Sequence, residues 1–371
     1  MSLFDAKTEL DGWFANAVGE PTAVQRAAWP VLRDGRNALV IASTGQGKSL
    51  AAWRPLVERL AESPGLGRGV RALHIAPLKA LARDMTFNLT PLLEAAGPIC
   101  GRSPKIALRC GDTPRTERDR QRRNPPEILS TTPESLFVLL GSRGGRSLLR
   151  TVEAVVVDEL HAIAGSKRGA HLALSLARLD RLAGRPVQRV GLSATARPAE
   201  ALAGFLAGCH HCEIVAPDAP GPVKLEVELP GMPLGPYPNS LHWEQIHARI
   251  AELALGNRSL LVFCQTRAQV ERTAATLDEL LEAAGQPDQV GAHHGSLDTA
   301  HREAIEARFK AGELRVLVSS ASLELGLDLG HVDRVCQIGV PGSVNLVRQR
   351  AGRSGHRPGR QPCMHLFPLT L

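Results

Sequence analysis

Lys48 and Ser49 follow two glycines, Gly45 and Gly47, in the run Ala42-Ser43-Thr44-Gly45-Gln46-Gly47-Lys48-Ser49. Glycines let backbone N–H groups approach a phosphate, the lysine brings a point charge to β- and γ-phosphates, and the serine hydroxyl is a ligand for Mg²⁺. Ala42 stands where the strict G-x-x-x-x-G-K-[ST] pattern begins with glycine. A second segment, Val155-Val156-Val157-Asp158-Glu159-Leu160-His161, ends an apolar run with two adjacent acids. Asp158 suits Mg²⁺ through its water shell, and Glu159 suits orienting and deprotonating an attacking water. An Asp-Glu pair by itself would serve equally as the N-cap of a helix. Beside a phosphate loop it reads as chemistry.

Such residues need a sheet to bring them together. Asn37 to Ala42, Ala72 to Ala76, Glu127 to Ser130, Ala154 to Val157 and Gln188 to Leu192 are short apolar runs that alternate with helical stretches such as Ser49 to Ser63. Runs without polar alternation fit strands covered on both faces, hence a parallel sheet with flanking helices. In such a sheet the C-terminal strand ends face one crevice, which would place Asp158 beside the phosphate loop. The pattern breaks at 216–240, a proline-rich stretch read as an interdomain connection with a strand over VKLEVEL. It restarts with Ser259 to Cys264, a helix near Ala268 to Ala284, Arg315 to Ser319 and Val335 to Ile338. The expected organisation is two tandem α/β domains, 1–215 and 241–371.

Composition narrows the class. The 371 residues suffice for two domains, and 44 Lys and Arg against 37 Asp and Glu give a net charge of +7, compatible with a polyanionic partner. Aromatics are only 4% of the chain, against single-strand binding built mainly on stacking. No apolar run approaches a membrane span, and the N-terminus lacks the apolar core of a secretory signal. Seven scattered cysteines suit a reducing compartment, so the expected location is the cytoplasm. Cys209-His210-His211-Cys212 offers metal-ligand residue types, but four consecutive residues wrap one ion poorly and no second pair lies nearby. The basic run Arg115 to Arg123 is interleaved by Glu117 and Asp119 and reads as a solvated helix face.

The remaining landmarks fall in the order of a superfamily 2 helicase. Pro21 to Gln25 resembles the adenine-reading segment, Ala76 to Leu81 motif Ia, Thr131 to Leu136 motif Ib and Ser193-Ala194-Thr195 motif III. Leu261 to Arg267 is similar to motif IV, Ser319 to Gly330 to motif V and Gln349 to His356 to motif VI. His161 as the fourth residue of motif II disfavours the DEAD-box RNA helicases. Arg109-Cys110-Gly111-Asp112-Thr113-Pro114, the stretch from Val155 to Leu179, His293 to Asp298 and Gln349 to Gly359 resemble the Lhr family, leaning toward its ligase-associated DEXH-box branch.

That resemblance implies two tandem RecA-like domains and ATP-driven 3′-to-5′ movement on single-stranded DNA, in bacteria linked to DNA repair. It implies an ATP site of Gln25, Thr44, Gly45, Gly47, Lys48, Ser49, Asp158 and Glu159 on the first domain. Gly326, Asp328, Gln349, Arg350 and Arg353 would complete it from the second, with Mg²⁺ on Ser49 and Asp158 and Arg353 as the arginine finger. A nucleic-acid track is implied at Pro77, Leu78, Lys79, Gly111, Asp112, Thr113, Thr132, Pro133, Glu134, Ser135, His294 and Gly295. Cys110 replaces the usual threonine of its string, Ser49 the commoner threonine of motif I. The family continues beyond motif VI into a winged-helix region, so the 371 residues read as the motor core. The competing reading is an ATP-switched nucleic-acid clamp, or an RNA helicase, without processive unwinding; repair proteins are conceivable partners.

Overall fold

The computed structural model describes residues 6–43, 45–62, 69–194, 198–217, 222–320, 323, 330–354 and 361–370. Of the residues assigned roles above, Thr44, Gly326, Asp328 and Thr195 of the motif III triplet lie outside them. The chain divides into two compact units, residues 1–220 and 221–371.

The first unit is built on seven strands: β1 (Asn37–Ile41), β2 (Ala72–Ile75), β3 (Ile106–Arg109), β4 (Ile128–Thr131), β5 (Ala154–Val157), β6 (Gln188–Ser193) and β7 (Cys212–Val215). They form one sheet in the order β3-β4-β2-β5-β6-β1-β7, parallel at every pairing. Successive side chains leave a strand on opposite faces, and here both faces are buried. Ala38, Val40, Ala154, Val156, Val190 and Leu192 join one core, under helices Ala23–Arg33 and Lys48–Glu62. Leu39, Leu73, Ile75, Val155 and Val157 join the other, against helices Pro133–Gly141 and Lys167–Ala183. This is why these strands are apolar without alternation.

The second unit repeats the plan with β8 (Lys224–Val227), β9 (Leu260–Phe263), β10 (Val290–His293), β11 (Val316–Ser319), β12 (Arg334–Ile338) and β13 (Cys363–Phe367), in the order β10-β11-β9-β12-β13-β8. Its pairings are all parallel. Helices Ser240–Leu255 and Arg267–Ala283 bury Ile246, Ile250, Val270 and Leu277 against it. Both units are thus the parallel α/β domains expected. Four strands were not among the apolar runs. β3, β7 and β10 are sheet edges with mixed burial, so their sequences carry polar residues. β13 is interrupted by His365, which is buried and accepted into the sheet because its Nδ1 lies 2.5 Å from Glu228 Oε1 and 3.3 Å from Glu226 Oε2. Both acids belong to the proline-rich stretch 216–240, where the segment Lys224–Val227 forms the sheet edge beside β13.

One buried charge anchors the N-terminal helix to the phosphate-loop helix. Arg54 is fully buried, and its guanidinium lies 4.2 Å from the Trp29 ring centroid and 5.7 Å from that of Phe14, while it bonds to Asp11. A cation desolvated between two aromatic faces is stabilised by their quadrupoles, and the half-exposed Asp11 supplies the counter-charge. Arg54→Ala leaves a cavity between three helices and removes both interactions. The expected loss is about 2–4 kcal/mol of first-unit stability, read by urea unfolding. An unchanged midpoint would show that helix Ala6–Ala17 is held by its apolar contacts alone.

Candidate functional site

The phosphate loop leaves β1 and enters helix Lys48–Glu62. Gly45 and Gly47 have φ of +81° and +76°, a backbone region open to glycine at little cost. A side chain at Gly47 would also collide with the Gln25 amide. Gln25 itself is 1% exposed, donates from Nε2 to Gly47 O at 3.2 Å and closes a capping box with Thr22. Thr22 Oγ1 donates to Gln46 O at 3.0 Å. The segment assigned to adenine reading is therefore fastened to the loop backbone. Lys48 Nζ donates to Ala42 O at 2.6 Å and Ser43 O at 2.8 Å, and Ser49 is exposed on the first helical turn.

Asp158 and Glu159 follow β5, two strands from β1 across β6. Asp158 N donates to Ile75 O at 2.8 Å, and its Oδ1 accepts from Glu159 N at 2.9 Å. Burial alone would raise the Asp158 carboxyl pKa, but His74, the Glu159 N–H and the Lys48 ammonium hold it below the ordinary carboxylate range. It is an ionised, nearly buried acid beside a cation. Glu159 is 4% exposed and sits at φ +45°, ψ +46°. For a non-glycine residue this left-handed conformation is strained, a trait that clusters at functional sites. Its Oε2 is 3.5 Å from His161 Nδ1, which in turn lies 2.9 Å from Ser193 Oγ. The segments read as motifs II and III are thereby in contact.

The first-unit residues assigned to nucleic acid gather at the same sheet edge, after β2, β3 and β4. Lys79 Nζ pairs with Asp112 at 2.6 Å. Thr113 Oγ1 accepts from Cys110 N at 2.9 Å, and Cys110 is buried against it. Thr132 caps helix Pro133–Gly141 by accepting from Ser135 N. Leu78 precedes helix Lys79–Asn88 in an extended conformation. Two arginines absent from the sequence assignment hold these loops. Arg168 donates to Glu134 Oε1 at 2.6 Å and to Pro77 O at 2.8 Å, tying two segments into one surface. Its hydrogen bond holds the Glu134 carboxyl below the usual range. Arg118 donates to Thr113 O and Gly111 O, each at 2.7 Å. Nothing local in the sequence marks either role, since each depends on loops brought together by strand order.

The second unit presents its candidates on its own elements. His294 and Gly295 follow β10; His294 Nε2 is 2.5 Å from Glu271 Oε1, and its Nδ1 accepts from Ser296 N at 3.3 Å. Gln349, Arg350 and Arg353 are 9%, 5% and 4% exposed. Arg350 stacks 4.7 Å from the Phe263 centroid and donates to Gln337, an inward-facing arrangement. Among the cysteines, burial pushes the Cys212 thiol up to about 11 and that of Cys264 up to about 12. Neither is a ready thiolate. Cys212 opens strand β7. Glu226, Glu228 and His365 could bring three ligand atoms within 4.8 Å, but Lys224 and Arg249 already pair with the two acids. No helix of the described residues is long and apolar enough to cross a membrane.

Comparison with known proteins matches these two halves to helicase families. Residues 22–202 match the DEAD/DEAH box helicase family and residues 244–358 the helicase conserved C-terminal domain. The Lhr helicase/probable uracil glycosylase of Mycolicibacterium smegmatis is 40% identical over 392 residues, covering 96% of this chain and 26% of that protein. The ATP-dependent helicase Lhr-Core of Methanothermobacter thermautotrophicus is 38% identical, covering 93% of this chain and 41% of its own length. The chain thus spans well under half of these relatives. The structure of Mycobacterium smegmatis helicase Lhr bound to ssDNA and AMP-PNP superposes with a TM-score of 0.87 and 42% identity, over 98% of this chain and 47% of that one. With the loop, the acid pair and both helicase halves in one order, this chain belongs to the Lhr family of superfamily 2 helicases.

Proposed function

We propose that this chain is an ATP-hydrolysing motor that moves along single-stranded DNA, in the service of DNA repair. The observation that carries the reading is the convergence of Lys48, Asp158 and Glu159 on the sheet edge that also bears Pro77–Lys79, Gly111–Thr113 and Thr132–Ser135. A solved relative that holds ssDNA and AMP-PNP supports both ligands. The repair role follows from the family resemblance.

The residues present fit Mg²⁺. Ser49 and an Asp158 kept ionised are hard oxygen donors, the type this ion takes. When bound, the ion neutralises charge on the phosphate oxygens. Lys48 turns its ammonium from the carbonyls of Ala42 and Ser43 to the phosphates. Gln25 reads the base from its place against the loop, and Gly45 and Gly47 let backbone N–H groups approach. Glu159, held in a fixed backbone geometry, orients water and takes its proton. Arg353 supplies the charged fork for the transition state. Gly326, Asp328 and Gln349 add nucleotide contacts, while the stacking of Arg350 on Phe263 favours a supporting role. The DNA contacts lie in strand-end loops with paired charges, Lys79 with Asp112 and Arg168 with Glu134, so phosphates displace carboxylates and binding weakens with salt.

Steady-state phosphate release with single-stranded DNA, duplex DNA and RNA tests the reading. Stimulation by RNA alone would replace the DNA partner. Glu159→Gln should bind a fluorescent ATP analogue like the parent yet hydrolyse ATP roughly 100-fold or more slowly, whereas Lys48→Ala should weaken both binding and turnover. A Glu159→Gln protein with parental turnover would move the base elsewhere. Arg353→Ala should retain nucleotide binding and lose roughly 10³ in DNA-stimulated rate, the size seen for arginine fingers. If binding vanished and the rate per bound ATP held, the finger assignment would be wrong.

A further inference from the structure

Helix Arg115–Arg123 leaves the Gly111–Thr113 loop and has no part in the site as described so far. Its sequence, RTERDRQRR, contains no apolar residue, so no hydrophobic face docks it on the core. Polar anchors hold it instead. The buried Gln121 donates from Nε2 to Leu108 O at 3.0 Å and accepts from Arg109 Nη1 at 3.1 Å. Arg118 donates to the backbone of the Gly111–Thr113 loop. At 3.6 residues per turn, Arg118, Arg122, Arg115 and Arg123 form one stripe, shared only with Asp119. Glu117 pairs with Arg120 at 3.3 Å, away from that stripe. Arg115, Arg122 and Arg123 are exposed; among the described residues Asp119 pairs with Arg122, and Arg115 and Arg123 have no carboxylate partner.

The cations continue past this helix. Arg122 lies across Gly144, where a Cβ would meet its Cδ at 3.1 Å, so the bare glycine lets it rest on helix Arg143–Leu149. Arg143, Arg146 and Arg150 are exposed there, and residues 135–152 contain no acid. Residues 115–150 carry eight arginines against four acids, more than half of the chain's net charge of +7. Burial, then the charges of Arg118 and Arg122, hold the Arg109 guanidinium below its ordinary value. Cations crowded in this way repel one another until an anion faces them. We propose that this arginine surface continues the nucleic-acid track beyond Gly111–Thr113 and takes the phosphodiester backbone of the same single strand. Arg118 makes the surface continuous with the loop, and guanidinium forks match phosphate oxygens. Neither helix contains an aromatic residue, so bases find no stacking platform and the contacts are to the backbone alone. The inference rests on the functional reading above, in which Gly111–Thr113 belong to the DNA track.

Oligomer length and salt test it together. Binding of the 371-residue chain to labelled oligothymidylates of about 6 and about 20 nucleotides is followed by anisotropy across a salt series. The longer oligomer should bind more tightly and with the steeper salt dependence. Combining Arg115→Gln, Arg122→Gln and Arg143→Gln should keep the short oligomer within about twofold of the parent and weaken the long one about tenfold. Its salt slope should fall by roughly 2, since each lost phosphate contact on a single strand removes about 0.7. The matching triple lysine variant keeps the charges and should keep the slope. Should the glutamine triple fail to fold, Arg115→Gln with Arg143→Gln disturbs no listed ion pair of the stripe and should lower the slope by roughly 1.4. Equal slopes for the two oligomers on the parent, or a parental slope in the glutamine variants, overturn the inference. So does an equal loss for both oligomers, or a lysine variant as weak as the glutamine one, because the helix would then only support the loop. A greater loss on a blunt duplex than on the long oligomer overturns the single-strand assignment. If the parent binds neither oligomer, the functional reading itself falls, a result distinct from all of these.

Discussion

Each sheet runs all its strands in one direction, and the placement of every candidate residue follows from that. A parallel strand must be reached by a crossover, so helices cover both faces and the strand ends on one edge are left to loops. In the first unit that edge collects the phosphate loop after β1, the acids after β5 and the three segments after β2, β3 and β4. No single stretch of chain could offer them together. The two cores on either side of the sheet are apolar, so the polar groups at the edge have a stiff platform beneath them.

The electrostatics of that edge are balanced by pairs. Asp158 remains ionised in a nearly buried position because cationic and N–H donors face it. A carboxylate in the same place without them would take up a proton. Lys79 with Asp112 and Arg168 with Glu134 give the neighbouring loops near-neutral surfaces in the protein alone. These pairs are partly exposed, and exposed pairs contribute little to stability. A phosphate can compete for the same cations at small expense, which suits contacts to a backbone common to all sequences.

The second unit shows how polar residues enter such a sheet when they are matched. His365 lies within β13 and would disrupt an apolar strand. Two glutamates from β8 and its end, themselves paired with Lys224 and Arg249, make it a bridge that fastens the edge strand. Arg350 is accommodated in another way, by the Phe263 ring and Gln337. Arg54 in the first unit uses the same aromatic device.

Local order along the chain was enough to expose the phosphate loop, the Asp158-Glu159 pair and the central strands, because each is a contiguous run whose composition reflects its own environment. Gly45 and Gly47 announce a backbone conformation, and Val155 to Val157 announce burial on two faces. The edge strands β3, β7 and β10 left weaker marks, since half-exposed strands tolerate polar residues. The partners of the site left none. His74 reads as a lone polar residue in an apolar strand, Ser130 as an interruption in another and Arg168 as one basic residue among several. Their meaning arises only from register, which sets His74 against Ser130, and from strand order, which sets Pro77 near Glu134 and Arg168 between them. Sequence determined which chemistry the chain carries. Tertiary structure alone decided which side chains hold it in place, because a hydrogen bond between residues 56 positions apart depends on the packing of whole elements and not on any local pattern.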